Sequence, residues 1–320
     1  MREMKIGAVS YLNTKPLVFG LESALSFDRV ECEQDPESAS RRDSGVDVAN
    51  GKVAAGMRLV YDLPSRLADR LRTSEFDVAL IPTIELLDNP QYVVVSDACI
   101  ACHGPVWSVK FLSRKPLTEV RSVALDEGSR TSATLIKVML DELGLTPSYR
   151  PLAIHADWRA CDADAILIIG DRAMGIEQEN LVDQEALQNN TKLQSALSVR
   201  QEFPIIYDLG EWWQQQTGLP FVFAVWVAGP RLTQAELDRA ATVLGTSRDA
   251  GIQALEQLAA KYCQDYGLST ARCLDYFRSN LHFFLGREEK LGLEHFFSKA
   301  KQAGLVNYER TNRFHDCQST

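Results

Sequence analysis

Five short, uninterrupted apolar runs recur along the first 170 residues, and they constrain the fold more than any other feature of the chain. They lie at residues 6–9, 78–81, 92–95, 123–125 and 165–169. Runs without polar alternation are typical of parallel strands that are buried on both faces. Helical periodicity over residues 59–71 and 131–143 predicts helices between the strands. The sequence therefore predicts an α/β fold.

Composition and charge argue against several classes of protein. The chain has 320 residues, of which 45% are hydrophobic and 24% are charged, as expected for a globular protein of one or two domains. Its formal net charge of -9 argues against a sequence-independent nucleic-acid binder, which would need an excess of Lys and Arg. The N-terminal residues contain no apolar segment of signal-peptide length, and no stretch approaches the ~20 apolar residues of a membrane span. We therefore expect a cytoplasmic protein with no membrane or nucleic-acid partner.

Two regions depart from the alternation of strands and helices. Residues 34–56 contain almost no large apolar side chains and predict an exposed loop insertion. From Thr233 onward the pattern is helical alone, with a capping box at residues 233–236 and another helix beginning at Ser269. The phenylalanine pairs at 283–284 and 296–297 are expected to be core anchors.

The cysteines and histidines offer one motif to weigh. Cys99, Cys102 and His103 match the C-x-x-C-H attachment motif for c-type haem, and the two cysteines could also form half of a zinc site. Haem attachment normally follows export, and a zinc site would need a second close Cys/His pair, which the sequence lacks. The five histidines show no ligand spacing. We therefore expect free thiols, no metal and no other cofactor.

Polar side chains are concentrated where the predicted strands end. The four clusters are Tyr11, Asn13 and Thr14; Thr83 and Glu85; Ser129, Arg130, Thr131 and Ser132; and Gly170 and Asp171. Any single cluster could merely cap the helix that follows it. In open α/β sheets, however, ligands bind in the crevice outside the carboxyl ends of the strands. Four such clusters together predict a ligand site there.

Six sequence blocks, in this order, cover most of residues 5–228: "IGAVSYLNTKPLVFGLE", "FDVALIPTIELLDNPQYVVVSD", "GPVWSV", "ALDEGSRTSATLIKVML", "AILIIGDRAM" and "YDLGEWWQQQTGLPFVFAVW". Together they resemble the chorismate dehydratases of menaquinone biosynthesis, the first enzymes of the futalosine route. The sequence departs from the family pattern in its long loop at 34–56, in "ACHGPV", and at Thr83, where serine is commoner.

The resemblance implies a type II periplasmic-binding-protein-like fold, with two α/β lobes and an interlobe cleft. One lobe would consist of residues 1–98 together with 223–320, where the chain returns to it and adds the C-terminal helices. The other lobe would consist of residues 99–222. We expect either a monomer or a homodimer.

The resemblance also implies a reaction, the loss of water from chorismate to give 3-[(1-carboxyvinyl)oxy]benzoate. On this basis Asn13 and Thr83 would be catalytic. The substrate-binding residues would be Tyr11, Thr14, Ser129, Arg130, Thr131, Ser132, Gly170 and Asp171. The proton would be removed either by the enolpyruvyl carboxylate of the substrate, oriented by Asn13, or by Glu85. The alternatives are a non-catalytic solute-binding protein of the same fold and the sister enzyme that acts on a cyclic futalosine derivative.

Overall fold

The computed structural model describes residues 3–24, 56–174, 176, 202–306 and 314–315, and these residues form two β-sheets covered by helices. The strands are β1 (Met4–Val9), β2 (Met57–Asp62), β3 (Val78–Pro82), β4 (Val93–Cys102), β5 (Val109–Ser113), β6 (Ser122–Asp126), β7 (Ser148–Leu152), β8 (Ala165–Ile169), β9 (Ile205–Asp208), β10 (Phe221–Ala228) and β11 (His282–Phe284). The first sheet has the order β11-β4-β10-β3-β1-β2, and the second has the order β7-β6-β8-β5-β9.

Each sheet contains parallel strands whose apolar runs are buried on both faces, as predicted. In the first sheet β1 pairs in parallel with β2 and β3, and in the second β6 pairs in parallel with β7 and β8. Along β8, Leu167 and Ile169 belong to the large core, whereas Ile166 and Ile168 belong to a smaller apolar cluster on the opposite face. Such two-sided burial explains why β1, β3, β6 and β8 lack polar alternation, whereas β7, at the edge of the second sheet, is exposed at four of its five residues.

The predicted parallel strand at residues 92–95 is wrong in its direction and its length. It is the start of β4, which has ten residues and pairs antiparallel with both β10 and β11. The chain passes from the first sheet to the second after β4 and returns in β10, so the two connecting strands lie side by side. The predicted lobe boundaries at 98 and 222 fall within β4 and β10 respectively, and both strands lie entirely in the first sheet. The boundaries themselves stay a prediction.

The helices cover the faces of both sheets. They are α1 (Lys15–Ala24), α2 (Pro64–Arg72), α3 (Glu85–Asp88), α4 (Arg130–Glu142), α5 (Asp171–Met174), α6 (Leu209–Thr217), α7 (Gln234–Gln253), α8 (Leu255–Tyr262), α9 (Thr270–Asp275) and α10 (Arg287–Gln302). The helix predicted at 131–143 is confirmed as α4. The helix predicted at 59–71 is wrong in its first part, which forms β2, and α2 begins only at Pro64, a residue suited to the first helical position.

In the C-terminal part of the chain, two predictions are confirmed: Thr233 and Glu236 form a capping box, and a helix begins after Ser269. The prediction of helices alone is wrong, because β11 adds a strand to the edge of the first sheet. Phe284 on this strand is 40% exposed and is covered by the Arg248 guanidinium, so it is not the core anchor that was expected. Phe283, Phe296 and Phe297 are buried.

The predicted loop at 34–56 lies outside the described residues except for Gly56. Within the described ranges, no helix combines the length and the apolar character that crossing a membrane would require.

Candidate functional site

A cavity lies between the two sheets, where β1 and β8 end. Its polar groups come from Tyr11, Asn13, Ser108, Ser129 and Ser132. Apolar side chains of both sheets form most of the remaining wall, and among the described residues that line the cavity none carries a charge. Through its described lining the cavity can bind a small molecule by hydrogen bonds and apolar contacts.

Tyr11 crosses from the end of β1 to the second sheet, and two glycines make room for it. A Cβ atom on Gly128 would lie 3.0 Å from the Tyr11 hydroxyl, and one on Gly170 would lie 3.0 Å from three atoms of its ring. Gly170 also has φ +65, in the left-handed region that favours glycine. Burial and the nearby carboxyl of Asp126 raise the pKa of Tyr11, so its phenol stays neutral and can donate a hydrogen bond.

Asp126 holds the ends of β6 and β8 together behind this tyrosine. Its carboxylate accepts hydrogen bonds from the backbone N–H of Gly128 at 2.9 Å and of Ile169 at 3.3 Å, and it pairs with the Arg172 guanidinium. Burial raises the pKa of the Asp126 carboxyl, whereas Arg172 and the backbone donors lower it. This carboxylate is a support for the cavity wall rather than part of its lining.

The N-terminus of α4 forms a second polar wall. Ser129 caps the helix, because its Oγ accepts from the Ser132 backbone N–H at 3.2 Å. The same Ser129 hydroxyl donates to Ser132 Oγ at 2.8 Å, which leaves the proton of Ser132 for an acceptor in the cavity. The first N–H groups of a helix have no acceptor within it and carry partial positive charge. This wall therefore suits an anionic group.

Ser108 forms a third wall, in the segment that connects β4 to β5. Its Oγ accepts from the buried Tyr276 hydroxyl at 2.9 Å, so its own proton remains available to a ligand. Its backbone carbonyl accepts from the Gly170 N–H at 2.8 Å, which fixes this segment against the end of β8. Through Tyr276, the C-terminal part of the chain supports the cavity.

Asn13 is oriented by its neighbour in the short helical turn after β1. The Thr14 hydroxyl donates to Asn13 Oδ1 at 3.2 Å, so the carboxamide N–H group is the donor that Asn13 can offer to a ligand. Thr14 is fully buried and does not itself line the cavity.

Thr83 and Thr131 lie behind the α4 wall. Both are fully buried, and their hydroxyl oxygens are 3.3 Å apart. Thr83 also donates to the Val222 carbonyl at 3.0 Å, and Thr131 accepts from the Ile84 N–H at 3.3 Å. These bonds tie the end of β3 to the start of α4 and hold the two sheets in register across the cavity.

Arg130 and Glu85 form an ion cluster with Asp69 and Arg72, which we call the interlobe ion cluster. Arg130 donates to Glu85 at 2.7 Å and to Asp69 at 2.7 Å, and Arg72 donates to Glu85 at 3.0 Å. Only 3% of the Glu85 side chain is exposed. Neither Glu85 nor Arg130 lines the cavity, so their charges are directed at each other rather than at a ligand.

Asp171 lies behind Tyr11 and accepts a hydrogen bond from the Leu12 N–H at 3.2 Å. Burial raises the pKa of its carboxyl from 3.8 to about 7, although the Leu12 hydrogen bond and the charge of Lys15 oppose the shift. Asp171 is therefore a group that changes protonation near neutral pH next to the cavity wall.

The sequence profile of a family described as Menaquinone biosynthesis matches residues 4–302, which is nearly the whole chain. The protein belongs to this menaquinone biosynthesis family. It is 27% identical over 242 residues to the chorismate dehydratase of Thermus thermophilus, an alignment that covers 75% of this chain and 86% of that protein.

Solved structures of low sequence identity share the fold of this family member. A protein from Archaeoglobus fulgidus is 13% identical with a TM-score of 0.65, covering 95% of this chain and 98% of its own. The alkanesulfonate-binding protein SsuA from Xanthomonas axonopodis pv. citri, bound to MOPS, is 12% identical with a TM-score of 0.57, covering 96% and 95%. These likenesses confirm the expected periplasmic-binding-protein-like α/β fold.

The structure brings together half of the site residues that the sequence predicted for this family member. Tyr11, Asn13, Ser129, Ser132 and Gly170 line the cavity. The predicted residues that do not line it are Thr14, Thr83, Arg130, Thr131 and Asp171. Their contacts support the wall or join the two sheets. The predicted roles, catalysis for Thr83 and substrate binding for the other four, stay predictions.

Sequence reasoning did not select Ser108 or Tyr276. Ser108 lies in the block "GPVWSV", which was among the segments that carried the family resemblance, so the signal was present without a residue attached to it. Tyr276 had no such signal, because it reaches Ser108 from a position 168 residues later in the chain.

Proposed function

We propose that this protein dehydrates chorismate to 3-[(1-carboxyvinyl)oxy]benzoate, as a carbon–oxygen lyase of menaquinone biosynthesis. The observation that carries the proposal is the cavity between the two sheets, whose described lining offers uncharged hydrogen-bond donors and the N-terminus of α4. Its support from comparison is the family match and the identity to the Thermus thermophilus chorismate dehydratase.

The proposed reaction needs little from the protein beyond positioning. A proton leaves the ring carbon that bears the enolpyruvyl ether, hydroxide leaves the neighbouring carbon, and together they account for the water that is lost. The electron pair of the broken C–H bond completes an aromatic ring, and aromatisation supplies much of the driving force. The protein therefore has to hold a dianion, orient its carboxylates and donate to the departing hydroxyl.

The ring carboxylate is assigned to the start of α4. Ser129 and Ser132 form a hydrogen-bonded pair there, and the proton of Ser132 is left for an acceptor in the cavity. The positive end of the helix stabilises a carboxylate without adding a formal charge. Thr83 acts in this scheme through Thr131, by fixing the first turn of the helix against the end of β3.

The enolpyruvyl carboxylate of the substrate is assigned to Asn13, which donates a hydrogen bond to it. In this scheme the enolpyruvyl carboxylate, and not a side chain, removes the proton. Asn13 can donate its N–H group because Thr14 occupies its Oδ1. The alternative base, Glu85, is held by Arg130 and Arg72 and does not line the cavity. This arrangement favours a substrate-assisted proton transfer over an enzyme base.

The proposal is tested by incubating the purified protein with chorismate and following the products by absorbance and mass spectrometry. The expected result is an aromatic product that has lost one water, formed faster than in a matched sample of Asn13→Ala. Saturable binding of chorismate without this product would instead indicate a solute-binding protein of the same fold. Turnover of a cyclic futalosine derivative, but not of chorismate, would indicate the sister enzyme.

The proposal includes a cytoplasmic location and a reaction without cofactor. The oligomeric state, monomer or homodimer, is measured by light scattering on the same preparation.

A further inference from the structure

Three side chains with metal-ligating atoms converge at the edge of the first sheet, outside the cavity described above. His103 follows the end of β4, His282 lies on β11, and Glu289 lies in the first turn of α10. Their ligand atoms all lie within 4.8 Å of one another, and none of the three lines the cavity. We propose that His103, His282 and Glu289 form a binding site for a divalent transition metal, and that Zn²⁺ fits it.

The distances within this triad are close to those of a metal site. Glu289 Oε1 lies 2.7 Å from His103 Nε2 and 3.4 Å from His282 Nε2. Two ligand atoms that each lie about 2.0–2.2 Å from a tetrahedral Zn²⁺ are separated by roughly 3.3–3.6 Å. The pair of Glu289 and His282 already has this separation. The His103 side chain, which is 40% exposed, needs to move outward by less than about 1 Å to admit the ion.

Two of the three ligands are held in place by contacts of their own. Glu289 Oε2 accepts from the Gly286 N–H at 2.9 Å, which leaves Oε1 for the ion, and only 5% of this side chain is exposed. The His282 ring packs against the His103 ring at a centroid distance of 4.4 Å and against the Phe284 ring at 6.0 Å. The exposed His103 leaves an open path by which an ion can enter.

The chemistry of the donors selects the class of ion. Two imidazole nitrogens and one carboxylate form the ligand set of several zinc sites, with the fourth position open to water or another ligand. Mg²⁺ and Ca²⁺ prefer sites made of oxygen atoms alone. Of the haem-like motif, His103 alone belongs to this site, because Cys99 and Cys102 are buried within β4 and lie outside the triad.

The test uses the full-length protein after treatment with a chelator, titrated with ZnCl₂ by calorimetry and with CoCl₂ by visible absorption. We expect one ion per chain and Co²⁺ bands typical of four-coordinate geometry. His103→Ala, His282→Ala and Glu289→Gln should each weaken Zn²⁺ binding at least ~100-fold. His155→Ala is the matched control, because His155 is exposed and outside the triad, and it should bind as the wild type does. MgCl₂ at the same concentrations should give no binding.

Two results would overturn the proposal. Absence of saturable Zn²⁺ binding to the wild-type protein would mean that the triad is a hydrogen-bonded cluster only. Equal binding by wild type and all three variants would place any bound ion elsewhere. Because His103 is exposed, His103→Ala is expected to fold even if Glu289→Gln does not, and circular dichroism checks the fold of each variant. These measurements do not depend on turnover of chorismate, so their outcome tests the metal site independently of the proposed function.

Discussion

Replacing Glu85 with glutamine separates the two candidate bases of the proposed reaction. Glu85 lies beside the cavity wall, but its carboxylate is held by Arg130 at 2.7 Å and by Arg72 at 3.0 Å. Glutamine keeps the size and shape of the side chain while removing its charge. If Glu85 is part of the interlobe ion cluster and not the base, Glu85→Gln should change stability far more than it changes the chemical step.

The expected loss of stability follows from the two charged hydrogen bonds. A buried hydrogen bond to a charged group contributes about 1.5–3 kcal/mol. The arginine partners are 37% and 51% exposed, so solvent screening reduces this value. We expect Glu85→Gln to lower the free energy of unfolding by about 1–2 kcal/mol and to change kcat by less than ~3-fold. Asp69→Asn is the matched control, because the Asp69 side chain is 50% exposed and its loss should cost less than about 1 kcal/mol.

Urea titration followed by circular dichroism measures the stability, and the formation of the aromatic product measures kcat. A folded Glu85→Gln protein whose kcat falls by ~100-fold or more would refute the reasoning, because removal of a general base has that scale of effect. In that case the ion cluster would have to open during turnover, and the carboxylate would have to reach the substrate.

Three further outcomes are expected. Asn13→Ala should bind chorismate but lose at least ~100-fold in kcat, the scale for one preorganised donor, as measured by steady-state kinetics with calorimetric binding. Gly170→Ala should weaken chorismate binding and lower the free energy of unfolding, because its Cβ would lie 3.0 Å from the Tyr11 ring. Gly144→Ala is the control. With φ +68 and open space around it, this variant should lower the free energy of unfolding only. Asp171 has a raised pKa of about 7 against 3.8 when unfolded, so the wild-type free energy of unfolding should fall as pH rises between these values. Urea titrations across this range should show a smaller fall for Asp171→Asn.

Short apolar runs were sufficient to predict most of the parallel strands but not the direction of β4. A run buried on both faces has the same appearance in a parallel and an antiparallel strand, because the pattern reports burial and not pairing. One antiparallel partner of β4 is β10, which begins 119 positions after Cys102, and the other is β11, which lies still later in the chain. Such a partner is set by the return of the chain to the first sheet, which local pattern does not report.

The predicted site residues that line the cavity share one property. Asn13, Ser129 and Gly170 each follow a parallel strand closely, and the ends of parallel strands meet at one edge of a sheet. Arg130 shows the limit of this reasoning, because it has the same position in the sequence but pairs with Glu85, 45 residues away. The metal-ligand triad shows the same limit, because His103 and Glu289 are 186 residues apart and therefore form no motif of neighbouring residues in the sequence.

Three cations beside the described lining of the cavity are paired with carboxylates. Lys110, Arg130 and Arg172 each lie within two residues of a lining residue, and they are bound by Asp208, Glu85 and Asp126 respectively. Lys15, two residues from Asn13, lies over the Tyr61 and Tyr262 rings. An arginine on the enolpyruvyl carboxylate would hold the dianion more tightly but would lower the pKa of that carboxylate. A carboxylate that must remove a proton needs its basicity. Neutral donors and a helix N-terminus orient the enolpyruvyl carboxylate and lower its pKa less than an arginine would. A substrate-assisted reaction is therefore favoured when the neighbouring cations are paired with carboxylates of the protein.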